Sequence, residues 1–527
     1  MKMYTRLLSD FLNQSVGEKA GVIEIKGKAF NSVTITGLEY NSQNVKPGNL
    51  YFALPGLHAD GHDFIPDAIN RNAAAIVYQK ELAEYPEGLS YIRVKDSRFA
   101  MSPIAASFYN NPSRQMTIIG ITGTEGKSTT VYLIYQLLKA IGKKTGFIST
   151  VKHSDGLTEE WTSEHQTTPE AVTIHRLLAE MRDNGAEFAV VESSSHGLSK
   201  KTNRLGDVNF DAGVMTTVTH EHLEFHGTWE QYRSDKAELF RSLDFSMHDK
   251  PFGVVNADDK SAEYFAASTR QKVFSFSAKG ADADLSIKNL SSDAEGNRYE
   301  VFLRPNGAAI SGKTITIEDK LPGAFNSGNV LAALLVVSNL IPISVEELAP
   351  HIPDLKPVRG RMTPVCCGQP FEVIVDYAHT PSSFETVFPP LKKRMESSRG
   401  RLISVSGSAG ERDIQKRKTQ GEIAALYSDI VILADEDPRG EVPMAILEDI
   451  AEGCETAARS KKLIRGETLF LIPNRPLAIR KAVSLAGKGD LVLLLGKGHE
   501  NSIIYASGTV GFDEISEAEA ALKEAGY

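Results

Sequence analysis

The chain contains few cysteines, namely Cys366, Cys367 and Cys454 among 527 residues. Their spacing supplies neither a disulfide framework nor the paired arrangement of a structural zinc site, which favours a reducing compartment. We expect Cys366 and Cys367 to be small core residues at the edge of a strand.

Long apolar runs and excess positive charge are also missing. Residues 1–8 lack the apolar core of a signal peptide. The most apolar helical stretch, residues 330–343, is interrupted by Ser338 and Asn339 and is too short to span a bilayer. The net charge of -9 argues against a general affinity for nucleic acid. We therefore expect a cytoplasmic protein that neither inserts into membranes nor binds nucleic acid.

The length and the order of apolar segments indicate several α/β domains. A chain of 527 residues exceeds one hydrophobic core, and its length alone predicts about three domains. Strand-like runs alternate with helical ones, which predicts parallel sheets covered by helices. These runs are 188–191, 210–215, 252–255, 371–375, 402–405, 430–433 and 491–495. Breaks at 109–113 and 357–361 place a leading domain at 1–113, a central nucleotide-binding domain at 114–357 and a Rossmann-like domain at 358–527.

A glycine-rich segment, GITGTEGKSTT at residues 120–130, follows a short β-branched run and precedes a helical pattern. The phosphate-loop pattern G-x-x-x-x-G-K-[ST] requires glycine at position 121, where this chain has Ile121. The location still suits phosphate, because backbone N–H groups and the helix dipole converge at a helix N-terminus. Lys127 can reach the terminal phosphates and Ser128 can bind the accompanying Mg²⁺. The alternative is a tight glycine turn with a solvated lysine.

Two further segments carry candidate ligands. Glu192 ends an apolar strand, where a carboxylate can bind Mg²⁺ or position a reactant. The segment from His220 to Gly227 lacks the second histidine of H-E-x-x-H, since position 224 is glutamate. His222 and His226 are four residues apart and could share a helix face, one as a metal ligand and the other in hydrogen bonding. For each, a solvated or core histidine is the alternative.

Three polar stretches stand at predicted strand ends, where α/β proteins place ligands. They read LPGAFNSGN at 321–329, VDYAHTP at 375–381 and GKGHE at 496–500. Together with TGTEGKST at 122–129, these stretches resemble the Mur ligase family, and its E-type members most. The resemblance covers nearly the whole chain, including residues 41–48 and 52–62, which resemble the E-type uridine-binding region.

The resemblance implies a reaction and a set of ligands. E-type members use ATP to activate the D-Glu γ-carboxylate of UDP-MurNAc-L-Ala-D-Glu as an acyl phosphate, which the amine of a diamino acid then attacks. ATP would be a co-substrate and Mg²⁺ the cofactor, and we expect a monomer. Peptidoglycan precursor synthesis would be the setting, with consequences for cell shape and division.

The resemblance also implies the roles of individual residues. The catalytic and metal-binding set would be Ser128, Glu192, His222 and Lys236, with Lys236 as a carbamate and Lys127 catalytic at the phosphate. The ATP site would comprise Gly123, Thr124, Glu125, Gly126, Lys127, Ser128, Thr129, Asn256, Asn326, Asn329, Arg361, Asp376 and His379. The UDP-substrate site would comprise Ser42, Thr167, Thr168, Ser194 and Arg204. The amino-acid site would comprise Arg412, Glu436, Asp437, Arg439, Gly496 and Glu500.

The chain departs from the family pattern at several positions. Glu125 replaces an asparagine of the loop, Thr217 replaces the asparagine of a T-N-L segment, and Gln43 breaks a D-S-R pattern. Arg204 stands two residues later than is common. The family's meso-diaminopimelate enzymes carry D-N-P-R, and this chain has EDPR at 436–439.

The amino acid remains open between two alternatives. Arg439 suits the distal carboxylate of meso-diaminopimelate, which we favour. Asp437 would favour a distal ammonium, so lysine or ornithine stays an alternative. Rival functions are a folylpolyglutamate synthase, a catalytically silent Mur-like binding or regulatory protein, and a P-loop ATPase acting on nucleic acid.

Overall fold

The computed structural model describes residues 4–28, 30–56, 59–162, 166–219, 223–292, 296–304, 313–457 and 463–527. The chain divides into two compact units. The first contains Met1–Lys288, Val301–Ile315 and Gly328–Ile352, and the second contains Asn289–Glu300, Thr316–Ser327 and Pro353–Tyr527. The chain therefore passes between the two units several times.

The leading part of the first unit is an α/β layer. Its elements are β1 Arg6–Leu7, α1 Leu8–Phe11, α2 Gln14–Ala20, β2 Val22–Gly27, β3 Thr34–Ile35, β4 Gly37–Glu39, β5 Asn49–Phe52, α3 Ile65–Asn70, β6 Ala75–Tyr78, β7 Ser90–Val94 and α4 Ser97–Phe108. The sheet order is β2-β7-β6-β5-β4, in which β4 to β7 pair in parallel and β2 is antiparallel to β7. A separate antiparallel pair joins β1 and β3.

The elements that follow along the chain build a larger sheet. They are β8 Thr117–Thr122, α5 Lys127–Ala140, β9 Thr145–Ile148, β10 Lys152–Ser154, β11 Glu159–Trp161, α6 Ala171–Asp183, β12 Phe188–Glu192, α7 Ser195–Leu198, β13 Ala212–Met215, α8 Leu223–His226, α9 Trp229–Leu243, β14 Phe252–Asn256, α10 Ala262–Ala266, β15 Lys272–Ser277, β16 Leu285–Ser292, β17 Asn297–Leu303, β18 Lys313–Asp319, α11 Asn326–Leu340 and α12 Val345–Leu348.

The position of β8 in this sheet locates the glycine-rich segment. The order runs β11-β10-β9-β12-β8-β13-β14-β15-β16, with parallel pairing from β9 to β16. β8 lies between β12 and β13, so the chain crosses β8 when it passes from β12 to β13. Ligands of α/β proteins bind at the carboxyl ends of strands at such a reversal of strand order. The glycine-rich segment lies at that end of β8.

The remaining part of the second unit is a second parallel sheet. Its elements are β19 Thr363–Pro364, β20 Glu372–Asp376, α13 Pro381–Ser398, β21 Leu402–Ser406, α14 Gln415–Tyr427, β22 Ile430–Leu433, α15 Pro443–Thr456, β23 Leu469–Leu471, α16 Arg475–Leu485, β24 Leu491–Leu495, β25 Ser502–Tyr505, β26 Gly508–Gly511 and α17 Glu514–Glu524. The order is β19-β20-β24-β21-β22-β23, with only β19 antiparallel, and β25 pairs with β26. Short 3-10 turns lie at Phe30–Ser32, Ser42–Asn44, Gly61–Phe64, Pro112–Arg114 and Ala349–Asp354.

β24 explains why this sheet needs helices on both faces. All five of its residues are buried. Leu491, Leu493 and Leu495 pack into one hydrophobic cluster, and Val492 and Leu494 pack into another. Successive side chains of a strand point to opposite faces, so an uninterrupted apolar strand must be covered twice.

The predicted α/β class is confirmed, and the predicted strands are present with their ends shifted by at most two residues. The prediction for the neighbouring cysteines is wrong for Cys366, which is exposed, whereas Cys367 is half-buried. The physical reason is that β19 ends at Pro364, so the chain has left the sheet edge before Cys366. Within the described ranges, no helix has both the length and the apolar character needed to cross a membrane.

Candidate active site

The glycine-rich segment connects β8 to α5 with two residues in the left-handed region, Gly123 at φ 150° and Gly126 at φ 80°. A Cβ atom at Gly123 would lie 2.0 Å from Thr216 Oγ1, and one at Gly126 would lie 2.7 Å from Asn329 Oδ1. Both positions therefore require glycine for steric as well as backbone reasons. Among the described residues, no side chain caps α5 at Gly126. The N-terminus of α5 is open to an anion.

Lys127 begins α5 and folds back over the segment. Its Nζ donates a hydrogen bond to the Thr124 carbonyl at 2.7 Å. Thr124 is held in turn, because its N–H donates to the Thr217 carbonyl at 2.5 Å and its hydroxyl is 2.9 Å from the Tyr232 hydroxyl. The Thr216 hydroxyl donates to the Glu125 carbonyl at 2.5 Å. The segment is thus preorganised by side chains that local sequence patterns could not identify.

Ser128 and Glu192 meet beside this segment. Ser128 Oγ donates to Glu192 Oε1 at 3.0 Å, and Glu192 Oε2 accepts from the Thr150 N–H at 2.9 Å. Glu192 is buried, with 1% of its surface exposed. A hydroxyl and a carboxylate are hard oxygen donors of the kind that Mg²⁺ takes. Within the described residues no group of three or more histidine, cysteine, aspartate or glutamate side chains could hold a metal ion. His222, the predicted third ligand, lies outside the described residues.

Lys236 projects from α9 towards the same loop. Its Nζ donates to the Gly123 carbonyl at 2.6 Å and lies 4.6 Å from the centre of the Tyr232 ring. The lysine is buried, with 2% exposure. The predicted Lys236 and the loop therefore lie together, although they are more than one hundred residues apart in sequence.

His226 lies in a buried, hydrogen-bonded environment. Its Nδ1 is 2.7 Å from Asp235 Oδ2 and its Nε2 is 3.1 Å from Ser195 Oγ. The side chain is fully buried. Both ring nitrogens are used, so His226 acts in hydrogen bonding and ties α7 and α8 to α9.

Three of the residues predicted for the UDP-substrate site, namely Thr168, Ser194 and Arg204, form a cluster at the end of β12. Arg204 Nη1 donates to the Thr168 carbonyl at 2.8 Å, and the Thr168 hydroxyl donates to the Glu192 carbonyl at 2.9 Å. The Ser194 N–H donates to the Thr168 hydroxyl at 3.0 Å. Thr167 directly precedes Thr168 and is half-buried. Ser42 lies in the leading part of the first unit, where its side chain bonds Asp67.

Sequence reasoning missed two charged residues of this cluster. Glu170 Oε1 accepts from Arg204 Nη2 at 3.0 Å and from Arg98 Nη1 at 2.7 Å. Arg98 is in the first turn of α4, so this carboxylate links the leading part of the unit to the larger sheet. No local motif marks either residue, because their pairing depends on elements 72 positions apart.

The residues predicted to bind ATP are divided between the units. In the first unit, Asn329 Oδ1 accepts from the Thr130 hydroxyl at 3.1 Å, and Asn256 Nδ2 is 3.5 Å from Thr217 Oγ1. Asn329 therefore contacts the first turn of α5, directly after the loop, and Asn256 contacts Thr217, whose carbonyl holds the loop. Thr129 lies half-buried in the first turn of α5.

The other predicted ATP residues lie in the second unit. Asp376 accepts from the N–H groups of Met362 and Ala378, each at 2.7 Å. Arg361 stacks over the Tyr377 ring at 4.5 Å, and His379 Nδ1 is 2.9 Å from the Tyr377 carbonyl. Burial raises the pKa of Asp376, and Arg361 opposes that shift. Asn326, also in this unit, donates to the Pro322 carbonyl at 2.7 Å.

Five of the six residues predicted for the amino-acid site follow the carboxyl ends of β22 and β24. Glu436 is 6% exposed and burial raises its pKa. Its Oε2 has no hydrogen-bond partner among the described residues. That oxygen would lie 3.1 Å from a Cβ atom at Gly496, whose φ is 108°. Glycine at 496 therefore leaves room beside a buried carboxyl group whose hydrogen bonds remain to be made.

Lys497 is a residue of this site that sequence reasoning left without a role. Its side chain is 1% exposed, and its Nζ donates to Asp437 Oδ1 at 2.9 Å and to Glu500 Oε2 at 2.5 Å. Burial disfavours the charge of Lys497, but Glu500 and Asp437 outweigh burial and raise its pKa. Asp437 was predicted to present a negative charge to the substrate. In the structure, Lys497 partly neutralises that charge and is shared with Glu500.

Arg439 differs from its neighbours because it contacts no anion of the described chain. Its Nε is buried without a hydrogen-bond partner, and its backbone holds φ 55°. Its N–H donates to the Ile504 carbonyl at 2.9 Å, which fixes the residue against β25. Arg412, also predicted for this site, is exposed between β21 and α14.

The fold and the loop define an α/β protein with a glycine-rich loop between a strand and a helix at the centre of a parallel sheet. Three family patterns match the chain: the Mur ligase family catalytic domain at residues 34–109, the Mur ligase middle domain at 121–337, and the Mur ligase glutamate ligase domain at 360–498. The chain belongs to the Mur ligase family of ATP-dependent ligases.

Individual relatives agree with this assignment. The UDP-N-acetylmuramyl-tripeptide synthetase of Treponema denticola is 48% identical, over 97% of this chain and 98% of that protein. A UDP-N-acetylmuramoyl-L-alanyl-D-glutamate–2,6-diaminopimelate ligase of Geobacillus kaustophilus is 36% identical, over 93% and 96%. A solved structure of a ligase with the latter name has a TM-score of 0.61 at 24% identity, covering 99% of this chain and all of that one. That likeness supports the fold.

Proposed function

We propose that this enzyme joins a diamino acid to the D-Glu γ-carboxylate of UDP-MurNAc-L-Ala-D-Glu at the expense of ATP, through an acyl phosphate. The observation that carries the proposal is the meeting of Lys127, Ser128, Glu192 and Lys236 at one loop, in a chain 48% identical to a tripeptide synthetase. A catalytically silent Mur-like protein would have no need of these four side chains together.

In the proposed reaction the loop binds ATP. The open N-terminus of α5 and the Lys127 ammonium face the phosphates, and the lysine exchanges its Thr124 carbonyl partner for a phosphate oxygen. A carboxylate is a poor acceptor for an amine, so phosphorylation provides a leaving group. The amine attacks the acyl carbon, and phosphate departs from the tetrahedral intermediate.

Ser128 and Glu192 would hold Mg²⁺, and His222 would serve a second Mg²⁺. Both described groups offer oxygen atoms, and they are already 3.0 Å apart, so the donor chemistry fits this ion. When bound, the ion supplies positive charge to the phosphate oxygens. Lys236 would be carbamylated: CO₂ adds to its neutral amine with loss of a proton, and the resulting anion would support the Mg²⁺ beside the acyl phosphate.

The three parts of the chain would divide the substrates among them. We propose that residues 1–113 bind the UDP moiety, residues 114–357 bind ATP and carry the ligase site, and residues 358–527 bind the incoming amino acid. Arg204, Thr168 and Ser194, which are hydrogen-bonded together beside Glu192, would bind the UDP-sugar peptide. The terminal carboxylate of that peptide would then lie near the ATP phosphates.

The proposed amino acid is meso-diaminopimelate. Arg439 presents a guanidinium without an anionic partner in the described chain, and the distal carboxylate of diaminopimelate would supply one. Asp437 shares Lys497 with Glu500, which reduces the negative charge that it can offer to a distal ammonium. Lysine and ornithine lack a distal carboxylate and would leave Arg439 unsatisfied.

The test is ADP release by the full chain with UDP-MurNAc-L-Ala-D-Glu, Mg²⁺ and, in separate reactions, meso-diaminopimelate, lysine or ornithine. We expect release that depends on both acceptors and gives a UDP-linked tripeptide by mass spectrometry. Release without tripeptide, or stimulation by DNA or RNA, would contradict the proposal. Product formed with folate and glutamate instead would assign the folylpolyglutamate alternative.

A further inference from the structure

Arg475 is a fully buried arginine outside the predicted site. It begins α16, and 0% of its side chain is exposed. Its charge is balanced by Glu514 at the start of α17, which is also 0% exposed. Nε lies 3.1 Å from each Glu514 oxygen, and Nη2 donates to Oε1 at 2.8 Å. This forked pair uses two of the five N–H groups of the guanidinium, and two of the remaining three point in other directions, each to a backbone acceptor.

These two N–H groups bond the ends of two strands, β22 and β24, that carry the proposed amino-acid site. Nη1 donates to the Asp435 carbonyl at 3.1 Å, and Nη2 donates to the Leu495 carbonyl at 2.5 Å. Asp435 directly precedes Glu436, and Leu495 directly precedes Gly496. Arg475 therefore contacts the peptide groups immediately before both residues that face each other across the site.

The sheet does not itself join these two strand ends. The order β24-β21-β22 places β21 between them, so no backbone hydrogen bond runs directly from β22 to β24. The guanidinium spans this gap at the carboxyl edge. Asp435 is further fixed because its N–H donates to the Pro473 carbonyl at 3.1 Å and its Oδ2 accepts from Tyr505 at 3.1 Å.

From this arrangement we propose that Arg475 is a positioning residue for the incoming amino acid, setting the separation of Glu436 and Gly496 through the Asp435 and Leu495 carbonyls. The inference rests on the proposed function of this part of the chain as the amino-acid site. Gly496 lies so close to Glu436 that a Cβ atom would be 3.1 Å from Oε2. A small change in the separation of the two strand ends therefore alters the space available to the substrate.

A role in stability alone makes a different prediction from a role in positioning. Glu514 forms the ion pair but has no hydrogen bond to the Asp435 or Leu495 carbonyl. Arg475 forms the ion pair and also bonds both carbonyls. Loss of either partner leaves an unpaired buried group and lowers Tm. Only loss of Arg475 removes the bridge between the strand ends.

The experiment measures Tm and the KM for the diamino acid, ATP and UDP-MurNAc-dipeptide in Arg475→Lys, Glu514→Gln and the double variant Arg475→Met/Glu514→Met. Arg475→Lys keeps a positive charge but lacks the fork, so the KM for the diamino acid should rise about tenfold, with the other two KM values within about twofold. Glu514→Gln should lower Tm and leave all three KM values within about twofold.

The double variant keeps the test decisive if Arg475→Lys does not fold. Replacing a buried ion pair by apolar side chains of similar size is often neutral for stability. We expect its Tm to exceed that of Glu514→Gln while the KM for the diamino acid stays about tenfold above the unmodified value. The positioning role would be overturned if the double variant recovered both Tm and the unmodified KM for the diamino acid. Equal changes of that KM in Arg475→Lys and Glu514→Gln would overturn it as well. Absence of ligation in the unmodified chain would instead overturn the proposed function and this inference with it.

Discussion

Replacing Arg439 by alanine removes the guanidinium that we assign to the distal carboxylate of meso-diaminopimelate. In the structure this substitution removes the side chain without disturbing the backbone or another charged group. The backbone stays held by the hydrogen bond from the Arg439 N–H to the Ile504 carbonyl, and alanine at φ 55° carries a strain similar to that of arginine. Because the guanidinium has no anionic partner among the described residues, its removal leaves none of their carboxylates unpaired.

The expected magnitude follows from the contact that is lost. A hydrogen bond to a charged group contributes about 1.5–3 kcal/mol, and a forked contact makes two that are not fully additive. We therefore expect kcat/KM for meso-diaminopimelate to fall by about 2–4 kcal/mol, or roughly 30- to 900-fold. Lysine has no carboxylate at that position, so its kcat/KM should change by less than about threefold. Arg439→Lys keeps the charge without the fork and should give an intermediate loss.

The assay is ADP release at subsaturating diamino acid, with Tm measured on each variant. Arg465→Ala is a matched control, since Arg465 is an exposed arginine of the same unit that pairs with Glu448 and Glu455. Equal losses for diaminopimelate and lysine in Arg439→Ala would refute the carboxylate assignment. Preference for lysine or ornithine in the unmodified enzyme would show that Asp437 governs the site despite its contact with Lys497.

Three further predictions concern the first unit. Lys127→Ala should abolish ligation while Tm changes little, because among the described residues the half-buried lysine bonds only a loop carbonyl; near-normal turnover would contradict the phosphate role. Lys236 should carry a carbamate in active enzyme, and Lys236→Ala should regain some activity with added short carboxylates; intact mass showing only free lysine would count against this. Burial lowers the pKa of His175 from 6.5 to about 4, so the unfolded chain binds the extra proton between these values. Wild type should therefore lose up to about 3 kcal/mol relative to His175→Gln as pH falls from about 6.5 to about 4, and a stability difference independent of pH would refute it.

The sequence predicted well those features that local periodicity encodes. The uninterrupted apolar run in β24 requires burial on both faces, and the glycines before Lys127 require a turn into a helix, so both could be located without a structure. The family motifs were also local. They indicated the loop, Glu192, Lys236 and the strand-end residues as candidates for the site.

The contacts between these features depended on strand order and register. Glu192 reaches Ser128 because β12 pairs in parallel with β8, with Glu192 opposite Ile121. A sequence pattern specifies that each strand exists but leaves open which strand lies beside it. The partners of His226 and the Arg98–Glu170–Arg204 cluster were unpredictable for the same reason.

The clearest contrast is in the C-terminal sheet. The sequence alone predicted that the stretch with Gly496 and Glu500 stands at a strand end, because it follows a strongly apolar run, and the resemblance to the family implied Glu436 and Asp437 for the same site. Only the tertiary structure decided which cationic side chains contact these residues or the strand ends that carry them. Lys497 pairs with Asp437 across 60 residues, and Arg475 bridges two strands that are not neighbours. The energy of burying a charge depends on what the whole fold places beside it, and no local pattern carries that information.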